Sequence, residues 1–82
     1  MINDFAQLAY GLEGYKIADE DRSGDPLYFG FVDRNGNWYI MQQNQASGTY
    51  RFTRGTGSYT TNWTARAGLS YDYFYNVFNT SI

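Results

Sequence analysis

Any chemistry in this 82-residue sequence would have to run on carboxylates, amines and phenols, because histidine and cysteine are both absent. General acid–base work near neutral pH by Asp, Glu, Lys or Tyr needs a large pKa shift in a buried pocket. Asp19, Glu20, Asp21 and Asp25 instead share one polar run, where water keeps carboxylates ordinary. Asp72 is the one carboxylate set among aromatics, and Arg66 lies near it in the chain but off ideal helical spacing, so both read as pairing or rim groups. No catalytic residue is assigned, and the chain reads as non-enzymatic.

Two motifs approach ligand chemistry and stop short. Asp19, Asp21 and Ser23, followed by Gly24, match the opening oxygen positions and turn glycine of a calcium loop. The closing position, where a bidentate glutamate belongs, falls on Gly30 inside a strand pattern, which makes the run an acidic turn. Gly55-Thr56-Gly57 before a helical stretch, with Arg51 and Arg54 nearby, has the look of a phosphate cradle. Thr60 stands where a third glycine is needed and no βαβ unit surrounds the motif, so a glycine-rich turn is the better reading. No cofactor or metal is implied.

Composition points to contact rather than catalysis. Tyr, Phe and Trp make up 21% of the residues, so the core must be built from rings. A single domain of this length has a marginal core, and small scaffolds gain most from disulfides, a metal or association. Without cysteine or histidine, disulfides and zinc are closed, which favours a homo-oligomer or docking on a larger protein. The net charge of −2 divides into −4 over residues 1–25 (six acidic, two basic) and +2 over residues 26–82 (two acidic, four basic). Neither half carries the concentrated basic face of a nucleic-acid binder. No segment has the ~20 apolar residues of a membrane span, and the N-terminus lacks a signal-peptide pattern. In a chain kept in a cytosol, the sequons at Asn62 and Asn79 carry no glycan.

The pattern predicts an α+β fold: a three-stranded antiparallel meander packed by a C-terminal amphipathic helix, with a short N-terminal helix or arm. Phe5, Leu8, Ala9 and Leu12 lie on one face of that short helix, capped by Asn3 or Asp4 and limited by Gly11 and Gly14. Tyr15 to Ala18 reads as a brief strand and Asp19 to Asp25 as a loop, so residues 1–25 form the arm and 26–82 the meander with its helix. Asn35-Gly36 is a strong two-residue hairpin signal. It would pair Val32 with Tyr39 and Phe31 with Ile40, placing Leu27, Phe29, Phe31, Trp38 and Ile40 on one face. Tyr28, Val32, Tyr39 and Met41 would then share the other face around a dent at Gly30. Thr49 to Thr53 is the third strand, of undetermined face. A helix from Thr61 or Asn62 to about Phe78 would bury Trp63, Ala67, Ser70, Tyr71, Phe74, Val77 and Phe78, with Gly68 admitting a close neighbour.

One helix cannot cover both apolar faces of such a sheet. The expected contact surface is Tyr28, Trp38, Tyr39, Met41, Leu69, Tyr73 and Tyr75, unless the N-terminal helix hides part of it. Exposed rings beside Asn, Asp and Gln also suit stacking on sugars, so a carbohydrate-binding module using Trp38, Tyr39, Tyr73 and Tyr75 is the alternative.

The stretch from Asp25 to Phe78 carries Tyr28-Phe29-Gly30-Phe31-Val32-Asp33, Asn35-Gly36-Asn37-Trp38-Tyr39-Ile40, Tyr50-Arg51-Phe52, Asn62-Trp63-Thr64-Ala65-Arg66 and Tyr71-Asp72-Tyr73-Phe74. In this pattern it resembles small virion-associated proteins of tailed bacteriophages. The resemblance covers about two thirds of the chain, and it implies a component of tail, fibre or head surface, made in the cytoplasm of a bacterial host. It carries no active site or ligand with it.

Overall fold

The computed structural model describes residues 14–78. Strands β1 (Lys16–Asp21), β2 (Leu27–Val32), β3 (Asn37–Asn44) and β4 (Thr49–Thr56) form one antiparallel sheet in chain order. Helix α1 (Tyr59–Thr64), a 3-10 turn (Arg66–Gly68) and helix α2 (Phe74–Val77) follow. The α+β class and the antiparallel meander hold. The sheet has a fourth strand, and short helical pieces replace the single long C-terminal helix. The N-terminal helix expected around Phe5 to Leu12 lies outside the described residues. Among the described residues no helix is long and apolar enough to cross a membrane.

β1 takes in Asp19, Glu20 and Asp21, which composition had placed in a loop. β2 is buried over Leu27 to Gly30, and its outward backbone groups need partners that β1 supplies. The ladder slips between Ile17 and Asp19, a bulge that absorbs Ala18. The β2–β3 hairpin also departs from expectation, with three turn residues rather than two. Asp33 N–H donates to Asn37 O at 2.9 Å and Gly36 N–H to Asp33 O at 3.2 Å, while Gly36 sits at φ 88°. The cause is Asp33, whose carboxylate accepts the backbone N–H groups of Asn35 and Asn37 and the Asn37 amide, each at 2.9 Å. Those bonds favour the longer turn with a left-handed glycine. Val32 therefore pairs with Trp38 and Phe31 with Tyr39. This one-residue slip sends every β3 side chain to the face opposite the expected one.

One face of the sheet thus carries Tyr28, Trp38 and Ile40, joined by Val32, and it packs against Tyr59 and Trp63 of α1 and against Leu69 and Tyr71. Ile40 is 0% exposed and Trp38 5%. Two glycines make this packing possible. A Cβ on Gly30 would collide with Tyr59 Oη and lie 2.9 Å from Tyr59 Cζ and 3.0 Å from Trp63 Cε3. A Cβ on Gly55, the cross-strand partner of Trp38, would lie 2.6 Å from Trp38 Cζ2. Gly68 has nothing within 4 Å of its would-be Cβ, so the close approach expected there occurs at Gly30 and Gly55.

The other face is a ring cluster. Tyr39 stacks on Phe31 (4.5 Å, 13°) and meets Phe52 at 6.3 Å and Phe78 edge-on at 5.4 Å. Phe52 meets Phe74 at 5.3 Å and Phe78 at 5.9 Å. Tyr50 and Phe52 alternate with Arg51, which places them on this same face through their pairing with Gln43 and Met41.

The C-terminal segment serves both faces because it passes around the outer side of β4. Phe52 N–H donates to Asp72 O at 2.8 Å and Asp72 N–H to Phe52 O at 2.9 Å, a single bridge beside the sheet. Leu69 and Tyr71, before this bridge, pack on the Trp38 face, and Phe74 and Phe78, after it, pack on the Tyr39 face. A continuous helix would leave the Phe52 backbone groups unpaired. Gly68, Ser70, Asp72 and the tyrosines around them are weak helix formers, so the extended path costs little.

Candidate functional site

Five large apolar or aromatic side chains remain exposed among the described residues: Ile17, Tyr50, Tyr73, Phe74 and Tyr75. Three of them are consecutive, and the bridge at Asp72 puts them there. Asp72 Oδ1 accepts the Tyr73 N–H at 2.7 Å, and both carboxylate oxygens accept the Asn76 amide at 3.2 Å. These bonds fix the start of α2, a helix of a single turn that makes no side-chain cap of its own. Phe74 and Phe78, one turn apart, face Phe52, which turns Tyr75 away from the sheet.

Tyr73 and Tyr75 stack at 5.4 Å with planes 12° apart, and the Arg51 guanidinium lies 4.1 Å over the Tyr73 ring. Arg51 is held by its Nη1, which donates to Tyr50 O at 2.9 Å. The result is a short ladder of planes, Arg51, Tyr73 and Tyr75, standing out from the end of the molecule. Tyr75, 65% exposed, is its least covered member, and Tyr73 is 46% exposed. Such a surface can stack on another plane, whether a ring, a guanidinium or the C–H face of a sugar, while Asp72 and Asn76 offer polar contacts beside it.

The sequence-derived contact residues divide sharply. Tyr28 and Trp38 are buried core, with Trp38 Nε1–H donating to Gly57 O at 2.8 Å. Tyr39, Met41 and Leu69 are half-buried, and only Tyr73 and Tyr75 stand free. Among the described residues, α1, Tyr71, Phe78, Tyr15 and the strands themselves cover the first five. Trp38 is therefore removed from any sugar-stacking set and Tyr39 is sandwiched, leaving Tyr73 and Tyr75. Tyr50, Arg51 and Phe74 were missed. The alternation Tyr50-Arg51-Phe52 was the available signal for Arg51, whereas the exposure of Phe74 follows from the broken helix.

The other polar groups hold the fold. Arg66 pairs with Asp21 rather than with Asp72: Nε and Nη2 donate to Asp21 Oδ2 at 3.1 and 2.7 Å, and the guanidinium covers the Trp63 ring at 4.4 Å. Tyr59 Oη donates to Asp19 Oδ2 at 2.8 Å, so both bonds tie the α1 region to β1. Hydrogen bonds from the Ser23 hydroxyl and N–H, with Arg66 adding to them, hold the Asp21 carboxyl well below the usual carboxylate range. Desolvation raises the Asp33 carboxyl, but bonds from Asn37, Asn35 and Gly36 outweigh it and the net shift is downward. Burial raises Tyr39 to about 12 and pushes Tyr59 and Tyr71 still higher, with the bond to Asp19 adding to the rise at Tyr59. All of these shifts run away from neutrality, as in groups locked in one protonation state.

The calcium-loop residues do not converge. Asp19 and Asp21 spend their oxygens on Tyr59, Ser23 and Arg66, and no group of three or more carboxylates able to hold a metal ion occurs among the described residues. Gly55 and Thr56 belong to β4, and the glycine-rich turn is Gly57, at φ 65°, with its N–H donated to Gly36 O at 2.9 Å. Tyr15, Asn37, Arg54, Gly55 and Thr56 line an open recess of about 250 Å³ on the opposite end of β4 from the ladder. Comparison with protein-family models, curated proteins and solved structures finds no match for this chain.

Proposed function

We propose that the chain is a non-enzymatic contact protein, a structural or adaptor subunit of a bacteriophage particle that docks through its C-terminal aromatic ladder. The observation that carries the contact reading is the stacked, exposed pair Tyr73 and Tyr75 with exposed Phe74 between them in the chain, where most other large rings among the described residues are buried or half-buried. Tyrosines of this kind cost little entropy to immobilise and suit surfaces that are wet before assembly and dry after it. The virion setting, on tail, fibre or head surface, rests on the resemblance of the Asp25 to Phe78 pattern.

The test is a Tyr73→Ala, Tyr75→Ala double variant. Incorporation into particles is followed by immunoblotting, self-association by light scattering over a dilution series, and the fold by thermal melting. Loss of incorporation or association with an unchanged melting temperature supports the reading. A wild-type chain that stays monomeric at every concentration and is absent from particles would overturn it. The saccharide alternative now stands on the same two rings, and a glycan array that reports binding abolished in the double variant would favour it instead.

A further inference from the structure

The ladder ends in a ring face that nothing among the described residues covers, and the chain also holds a cation without a partner among them. Of its five arginines, Arg22 lies over Phe29, Arg51 over Tyr73, Arg54 over Phe78 and Arg66 over Trp63 and Tyr28. Arg34 alone, exposed in the β2–β3 turn, has no ring, carboxylate or hydrogen-bond partner among the described residues. The two features sit at opposite ends of the sheet. Arg51, which supports the ladder, pairs with Gln42, whereas Thr56 pairs with Asn37 beside the turn. Five residues of strand span about 17 Å, beyond the reach of an arginine side chain, so the two cannot meet within one molecule.

Resting on the contact reading above, and naming its partner, we propose that copies of this chain associate head to tail, with Arg34 of one copy seated on the Tyr75 ring and Asp72 carboxylate of the next. The chain already uses this arrangement internally, where the Arg51 guanidinium lies 4.1 Å over Tyr73. Arg34 extends the same ladder by one more plane, giving the order Arg51, Tyr73, Tyr75, Arg34. Asp72 spends three hydrogen bonds on Tyr73 and Asn76, and as an exposed carboxylate it keeps lone pairs for a guanidinium. The two halves of the contact are different surfaces, so the association is heterologous and builds a ring when its rotation closes or a filament when it does not.

The full chain is tested by sedimentation over a concentration series, with melting temperature as the control for folding. Arg34→Glu and Tyr75→Lys both change exposed positions, and each alone is expected to weaken self-association about tenfold, the size of a stacked and charged contact. Mixing the two variants in equal amounts restores association, because the Arg34→Glu chain keeps Tyr75, the Tyr75→Lys chain keeps Arg34, and the remaining junction pairs the new carboxylate with the new amine. Association unaffected by Arg34→Glu, or unrestored by mixing, overturns the proposal. A monomeric wild type overturns it as well. In that case the contact reading is decided separately by whether Tyr73→Ala, Tyr75→Ala abolishes incorporation into particles.

Discussion

Gly55→Ala puts the packing of the Trp38 face to a quantitative test. The added Cβ would stand 2.6 Å from Trp38 Cζ2, 2.9 Å from Cε2 and 3.3 Å from Nε1. Carbon atoms prefer about 3.5–4.0 Å, so the indole must retreat by about 1 Å. It has little room to do so at 5% exposure, and retreat stretches the Nε1–H bond to Gly57 O, now 2.8 Å. Overpacking of a filled site costs about 1–3 kcal/mol and a lost hydrogen bond about 1 kcal/mol. Alanine's lower backbone entropy returns about 0.5–1 kcal/mol. The net loss is about 2 kcal/mol, which for a domain of this size lowers the melting temperature by about 8–16 °C. Circular dichroism at increasing temperature reads the shift, and tryptophan fluorescence reports the displaced indole. In a Trp38→Leu background the same change should become neutral or stabilising, because the ring it strikes is gone. An unchanged or higher melting temperature for Gly55→Ala in the wild-type background would refute the packing argument.

Gly30→Ala should likewise destabilise by about 1–3 kcal/mol by overpacking against Tyr59 and Trp63, and Tyr59→Ala should relieve most of the cost in a double-mutant cycle read by denaturant melts. Gly68→Ala, with open space around it, should be neutral or stabilise by up to about 1 kcal/mol, and a large loss would show a contact at that turn. Asp21 and Asp33 have folded-state pKa values below their unfolded ones, so their stabilisation is present above about pH 4 and is lost as the pH falls through the folded values. The melting temperature should therefore drop in acid, and Asp21→Asn should flatten that slope; an identical slope in the variant would remove Asp21 from the account. Tyr39, Tyr59 and Tyr71 should be the last phenols to ionise in an alkaline titration followed by ultraviolet absorbance, with stability declining as the pH rises above about 10. Early ionisation of all tyrosines together, in a chain still folded, would contradict their burial.

The sequence exposed the strands well and their register poorly. The runs Leu27 to Val32 and Trp38 to Met41 announced themselves by β-branched and aromatic residues. Whether Asn35-Gly36 forms a two- or three-residue turn depended on where the Asp33 carboxylate finds its donors, and that is a question of geometry that spacing does not answer. The first half of β1 was legible as the brief strand at Tyr15 to Ala18, but its second half was hidden because Asp19, Glu20 and Asp21 carry no apolar signal; they are strand because β2 needs partners. The C-terminal periodicity was real in composition but was overruled by the backbone bridge at Asp72 and by Arg66, which turned to Asp21. At the contact surface, Tyr73 and Tyr75 were legible as rings off the helical stripe. Trp38 and Tyr39 looked equally available until the three-residue turn and the passage around β4 enclosed them.

The passage of the chain around β4 has a further consequence for an aromatic-rich molecule that would work in many copies. Sheets with unguarded margins recruit further strands and grow into fibrils, a hazard that rises with crowding. Here Asp72 occupies the Phe52 backbone on one margin, and on the far margin β1 presents Lys16, Asp19, Glu20 and Asp21 together with a bulge. An intruding strand would meet a taken position on one side and charge and a kink on the other. The molecule can thus offer its rings to a neighbour without also offering its backbone, which separates orderly assembly from amyloid-like growth.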